Sequence, residues 1–195
     1  MKISKEVQTQ RAVSFLVASA QQHKNLLIVS KDTFTKREFA NHLQEQAEQD
    51  VKVVQEFMGE DVGERLKYIP TVEDKSVVMQ AFGTSPKTAL ERLEVIGMTG
   101  GIGKSFMQER LFGAVDLIVY VAHVDATVHV INISLLEMQE GHIEILPIFS
   151  EQFLEHNIPE SKRFEWIREL LVTNEVFVPK SSKLLRETSA LQFQQ

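Results

Sequence analysis

Two lysines stand where a side-chain ammonium could meet a phosphate. Lys104 closes the stretch Gly97-Met-Thr-Gly-Gly-Ile-Gly103-Lys104-Ser105. A phosphate-binding loop needs four residues between its first glycine and the glycine before lysine. That puts the first glycine at position 98, which is Met98, and Gly97 stands one residue too early. A phosphate loop also follows a buried strand, whereas an amphipathic pattern precedes this one. The stretch is therefore read as a flexible connector between two helices. Lys36 has the better context: the apolar run Leu26-Leu-Ile-Val29, a polar loop over residues 30–35, then Lys36 and a helical pattern. Strand, loop, lysine, helix is the order a phosphate site demands. Its chemistry is depleted, because Ser30 and Thr35 fill the glycine positions and Arg37 stands where a magnesium-binding hydroxyl belongs. Glycine matters there because backbone N–H groups must approach the phosphate in unusual conformations. Asp32 adds negative charge where phosphate would sit. Lys36, flanked by Thr35 and Arg37, is thus either a residual phosphate ligand or a solvated lysine of a helical first turn.

Glu56 is the acidic candidate. It lies near the carboxyl end of the second strand-like run, Val51 to Phe57, and could polarise a water or hold Mg²⁺ through one. Open α/β sheets bind ligands beyond the carboxyl ends of their strands, so its position suits that role. His123, Asp125 and His129 would share a face if they lay on one continuous strand, and could then ligate a metal. A turn near Asp125 breaks that alternation, so no metal site is assigned. Phe164 and Trp166 fall in an amphipathic stretch and read as core or docking residues. Lys162, Arg163 and Arg168 read as a solvated basic face. No Ser/His/Asp arrangement has supporting context, and the absence of cysteine excludes a Cys nucleophile, a thiolate zinc site and a disulfide framework.

The elements that must position these groups follow from periodicity. Helical spacing predicts helices over about 5–23, 36–48, 61–68, 86–96, 104–113 and 160–172. Ser85-Pro86 opens one of them as a cap followed by proline at the first helical position. Short unbroken apolar runs at 26–29, 51–57 and 76–82 read as buried strands of a mostly parallel sheet. After about residue 115 the pattern changes to alternating runs at 116–123, 127–137 and 142–149. They are joined by turns at Val124-Asp125 and Glu140-Gly141, which reads as an antiparallel meander.

With 195 residues the chain suits one domain. The expected division is a single α/β domain over 1–179, its βα part at 5–113, its meander at 115–149, and a polar tail at 180–195. The net charge of −6 argues against a nucleic-acid footprint, which needs a basic face. No stretch approaches the ~20 apolar residues of a spanning helix. The N-terminal apolar run, broken by Ser14 and Ser19, does not make a secretory signal. A cytoplasmic protein without membrane insertion is expected.

Several segments resemble the C-terminal nucleotide-binding domain of the ring-forming, RecA-type secretion ATPases, which serve type II and type IV secretion, conjugation, and pilus or Tad assembly. Phe15-Leu16-Val17 through Asn25-Leu-Leu-Ile is similar to the family's helix and strand before its phosphate loop, and Lys36 falls on the loop lysine. Val53-Val54-Gln55-Glu56-Phe57-Met58-Gly59 resembles the Walker B strand, with Glu56 on its acidic residue. Thr84-Ser85-Pro86 with Ala89-Leu90-Glu91-Arg92-Leu93-Glu94, and the run from Leu111 to Val121, resemble following segments. The likeness covers about residues 10–150. It departs in three places. Only residues 37–55 separate Lys36 from Glu56, where the family has a further strand, acidic residues and arginines. The position of the family's box histidine is Phe82. The family's N-terminal domain has no counterpart in these segments.

The resemblance implies a trimmed RecA-type (P-loop NTPase-like) sheet followed by the meander and a C-terminal helix. The first functional expectation is a non-catalytic paralogue without bound cofactor. It would be an assembly or regulatory module that contacts itself, a catalytic secretion or pilus ATPase, or another component at the inner face of the apparatus. The second is a divergent hydrolase using ATP and Mg²⁺ at Lys36 and Glu56, its site completed by a neighbouring subunit. The third is an unrelated α/β protein-binding domain.

Overall fold

The computed structural model describes residues 5–47, 51–53, 62–68, 75–124, 127–150, 152–154 and 157–173. The elements run α1 (Lys5–Gln21), β1 (Leu26–Ser30), α2 (Thr33–Gln46), β2 (Val51–Val53), α3 (Val62–Tyr68), β3 (Ser76–Phe82), α4 (Pro86–Thr99), α5 (Lys104–Ala114), β4 (Leu117–Val124), β5 (Thr127–Gln139), β6 (His142–Ser150), β7 (Gln152–Phe153) and α6 (Glu165–Thr173). The described strands form one mixed sheet in the order β2-β3-β1-β4-β5-β6-β7. Strands β2, β3, β1 and β4 are parallel, and β4 to β7 pair antiparallel. The mixed α/β class and the switch from parallel strands to a meander match the sequence reading.

The unbroken apolar runs are explained by burial on both faces. Alternate residues of β1 serve opposite layers. Leu26 and Ile28 join α1, α2 and α6, through Phe15, Phe39 and Ile167. Leu27 and Val29 join α3, α4 and α5, through Leu66, Leu93 and Met107. All five residues of β1 are buried. The loop between β1 and α2 therefore leaves from the centre of the sheet, at the carboxyl edge of β1 and β3, where Gly83 N–H donates to the Ser30 carbonyl at 3.1 Å.

Several boundaries differ from expectation. Helix α2 begins at Thr33 rather than at residue 36, because Asp32 caps it. Helix α4 runs through Gly97 to Thr99, so the expected glycine-rich break is confined to the residues after it. Gly97 is a packing residue: a Cβ there would lie 2.4 Å from the Met107 sulfur of α5. The expected helix over 160–172 is a 3₁₀ turn at Lys162–Phe164 followed by α6. Strand β7 was not expected. Glu140 (φ 49°) and Gly141 (φ 80°) both adopt the left-handed conformation of a tight hairpin turn, as the dipeptide suggests. The outer part of the 51–57 run, including Glu56, lies outside the described residues, as do Asp125 and the 180–195 tail.

Candidate functional site

The first turn of α2 is where the sequence places a phosphate site. A helix start carries N–H groups with no intrahelical partner and a partial positive charge, which suits an anion. Here the anion is the chain's own. Asp32 has extended backbone, and its carboxylate accepts from Phe34 N–H at 3.1 Å and from Thr35 N–H at 2.8 Å. The Thr35 hydroxyl donates to the same carboxylate. The Asp32 N–H in turn donates to the hydroxyl of buried Ser30 at 3.3 Å. The Thr35 hydroxyl bond, then the backbone bonds from Thr35 and Phe34, with a smaller contribution from His123, hold the Asp32 carboxyl below its ordinary range. A hydrogen bond to the charged form of an acid favours that form.

Lys36 is not the solvated lysine of the sequence reading. It is fully buried, among the largest fully buried side chains of the chain. The cause is position: Lys36, Phe39, Ala40 and Leu43, spaced i, i+3, i+4 and i+7, are all buried on α2. Its ammonium lies 5.5 Å from the centre of the Phe82 ring. The Arg92 guanidinium of α4 lies 4.9 Å from the same ring. Phe82, at the end of β3, therefore carries two cations, an arrangement attractive through the ring quadrupole. Thr35 is buried and occupied by Asp32, while Arg37 is exposed. The structure thus brings Thr35 and Lys36 together at the carboxyl edge, leaves Arg37 on the surface, and has Glu56 outside its described residues.

Beside this turn lies a cluster that sequence reasoning missed. Phe34, 66% exposed, stacks on His123 with ring centres 6.2 Å apart and an 18° interplanar angle. His123 Nε2 lies 3.6 Å from Glu38 Oε2. No spacing rule joins residues from β4 and α2. The metal set does not assemble: no group of three potential ligands occurs among the described residues. His129 pairs with Ala122, and His123 pairs with Val128. Cross-strand partners share a face and neighbours alternate, so the two histidines project from opposite faces. His129 Nε2 instead sits 2.6 Å from the Thr127 hydroxyl.

The other candidates are structural. Lys104 lies 4.0 Å from Glu94, which also accepts from Gln108 at 3.0 Å, so the glycine-rich loop is tied to α4. Lys162 and Arg163 are exposed and Arg168 half-buried, as a solvated basic face requires, and the two arginines also tie backbone together. Arg163 donates to the Phe112 carbonyl at 2.8 Å with its guanidinium 3.8 Å from the Phe112 ring centre. Arg168 donates to the Ile158 carbonyl at 2.9 Å and to that of Pro159 at 2.5 Å. Phe164 is a buried core residue, and half-buried Trp166 packs against the same core, stacking on Phe15 at 6.4 Å. At the opposite, amino edge of the sheet, Asp116 accepts from Asn25 N–H at 2.8 Å. Burial raises its carboxyl above the ordinary range, against the Asn25 bond and the charges of Lys24 and Arg163.

Among the described residues, no helix is long and apolar enough to cross a membrane. No protein-family model and no curated protein matches the sequence. The fold is similar to that of a solved structure, the VirB11 ATPase from the Brucella suis type IV secretion system in complex with sulphate. The TM-score is 0.53 at 11% sequence identity, over 65% of this chain and 52% of that one. The matched region spans about half the length of that ATPase. At such identity the likeness is one of fold: a mixed α/β architecture shared with a secretion ATPase.

Proposed function

We propose that this chain is a non-catalytic relative of the secretion and pilus-motor ATPases, built on a trimmed RecA-type sheet. It acts as an assembly or regulatory module through contacts with itself, a catalytic ATPase of that kind, or another part of the apparatus. The observation that carries the reading is the Asp32 carboxylate on the Phe34 and Thr35 N–H groups. The helix start that would receive a phosphate is already satisfied by a negative charge. A phosphate entering there meets that charge and finds these N–H donors taken. The burial of Lys36 supports the same reading, since a 0% exposed ammonium offers nothing to a ligand without rearrangement. The place of action under this reading is cytoplasmic, peripheral to the inner face of a secretion apparatus.

The alternative is a divergent ATPase whose site is completed by a partner subunit. It draws on one observation, the position of Lys36 in the first turn after β1. Light scattering on the purified chain, alone and mixed with a catalytic secretion ATPase, tests the proposed role. Self-association or a mixed complex whose formation ignores nucleotide is the expected result. A strict monomer that joins the motor only with ATP present contradicts it and favours the composite enzyme.

A further inference from the structure

Charged groups from two elements meet at the carboxyl edge of the sheet, where the β4–β5 hairpin reaches the start of α2. Strand β4 runs out to this edge parallel to β1, and α2 packs against it. His123 stands next to the last residue of β4, on the α2 side. Leu117, Val119 and Val121, in step with it along the strand, are core residues of that layer. Its ring stacks on Phe34 of α2, and its Nε2 lies 3.6 Å from Glu38 Oε2, one turn further along α2. The Asp32 carboxylate that caps α2 is close enough for the His123 charge to favour its ionised form. Three contacts thus converge on one imidazole, and each is stronger when the ring is charged. An imidazolium attracts both carboxylates, and a cation beside an aromatic face is drawn to the ring quadrupole. The cross-strand partner of His123 is apolar Val128, and His129 projects from the other face, beside Thr127. Lys31 and Arg37 flank the two acids in the chain and are exposed to water.

We infer that His123 is a pH-responsive latch. Protonated, it ties the neck of the β4–β5 hairpin to the start of α2; neutral, it lets the two part. Imidazole is the side chain whose charge ordinarily changes between pH 5 and pH 8, so the tie acts across the physiological range. The sign follows from the partners. The tie holds while the ring is charged and the carboxylates are ionised, and it is lost as pH rises and the imidazolium gives up its proton. In strong acid it is lost again, once Glu38 and Asp32 are protonated. The two side chains of the ion pair are 37% and 50% exposed, so water screens it. The latch is therefore a light one, changing hairpin opening by about three- to tenfold. It involves no nucleotide and does not rest on the proposed function.

The test is amide hydrogen exchange of the ¹⁵N-labelled chain between pH 5.5 and pH 8, each rate referred to its intrinsic value at that pH. Amides of residues 121–124 and 127–130 report the hairpin neck, and those of Leu27 and Ile28 in β1 are the reference. Neck protection relative to β1 should fall about three- to tenfold as pH rises over this range. Glu38→Gln and His123→Gln should each remove most of that change, and His129→Gln should keep it. The ring resonances of Phe34 and His123 should move along one titration curve. Neck protection indifferent to pH, a full-sized response in folded His123→Gln or Glu38→Gln, or a response abolished by His129→Gln overturns the inference. So does a Phe34 ring that ignores the His123 titration, a readout on the wild-type chain that needs no variant to fold.

Discussion

Lys36→Ala separates a structural lysine from a phosphate ligand. Truncation to alanine removes three buried methylenes, about 2.4 kcal/mol at about 0.8 kcal/mol each. It also removes the ammonium over Phe82, a contact of about 0.5–2 kcal/mol. The sum is about 3–4 kcal/mol. In a chain of this size each kcal/mol moves the melting midpoint by about 2–4 °C, so a fall of about 6–16 °C is expected. Lys36→Met keeps most of the volume and loses mainly the cation, so its cost should be about 0.5–2 kcal/mol. The assay is urea denaturation followed by far-UV circular dichroism, with thermal melts in parallel. A solvated lysine would tolerate either change within about 0.5 kcal/mol. A Lys36→Ala protein with the wild-type midpoint therefore refutes the burial argument and returns Lys36 to the surface.

Other outcomes follow from the same geometry. In Gly83→Ala the new Cβ would lie 2.8 Å from both the Ala89 nitrogen and its Cβ. The start of α4 must move, and a loss of about 1–3 kcal/mol is expected in urea titration. Asp32, whose carboxyl is lowered, contributes stability that is complete above its unfolded value of about 3.9 and fades as pH falls through the lower folded value. Denaturation midpoints from pH 6 to pH 2 should lose part of their acid slope in Asp32→Ala. Asp116 works in the opposite sense. Its raised carboxyl gives a contribution present below about pH 3.9 and lost as pH rises through the folded value. Asp116→Asn keeps an acceptor for Asn25 N–H and should match or exceed wild-type stability at pH 7.5. Asp116→Ala orphans that N–H and should lose about 1–3 kcal/mol.

Much of the frame was legible because local chemistry and tertiary packing agree. Ser85 and Pro86 open α4 as read, with Thr88 N–H on the Ser85 hydroxyl at 3.2 Å. The doubly buried run at β1 announced a central strand. The signals overlooked were also local. Aspartate followed by Thr33-Phe34-Thr35 is a helix-cap pattern, and reading it would have moved the start of α2 and shown what holds Asp32. Lys36 lies in register with Phe39, Ala40 and Leu43, a periodicity that marks it as inward-facing whatever its charge. Gly97 looked like a loop glycine, but its role is to let Met107 approach, which no single sequence displays. The remaining features were out of reach. Phe34 on His123, Lys36 and Arg92 on Phe82, and Arg163 on Phe112 join residues from separate elements, and only the folded topology sets those distances.

The central claim is that the first turn of α2 is satisfied by its own carboxylate and does not receive nucleotide. Calorimetric titration of the purified chain with Mg-ATP and Mg-ADP tests it most directly, with the folded Lys36→Met variant as control. The account expects no saturable heat at millimolar nucleotide in either protein. Micromolar binding by the wild type that disappears in Lys36→Met contradicts it, and would make Lys36 a phosphate ligand after all.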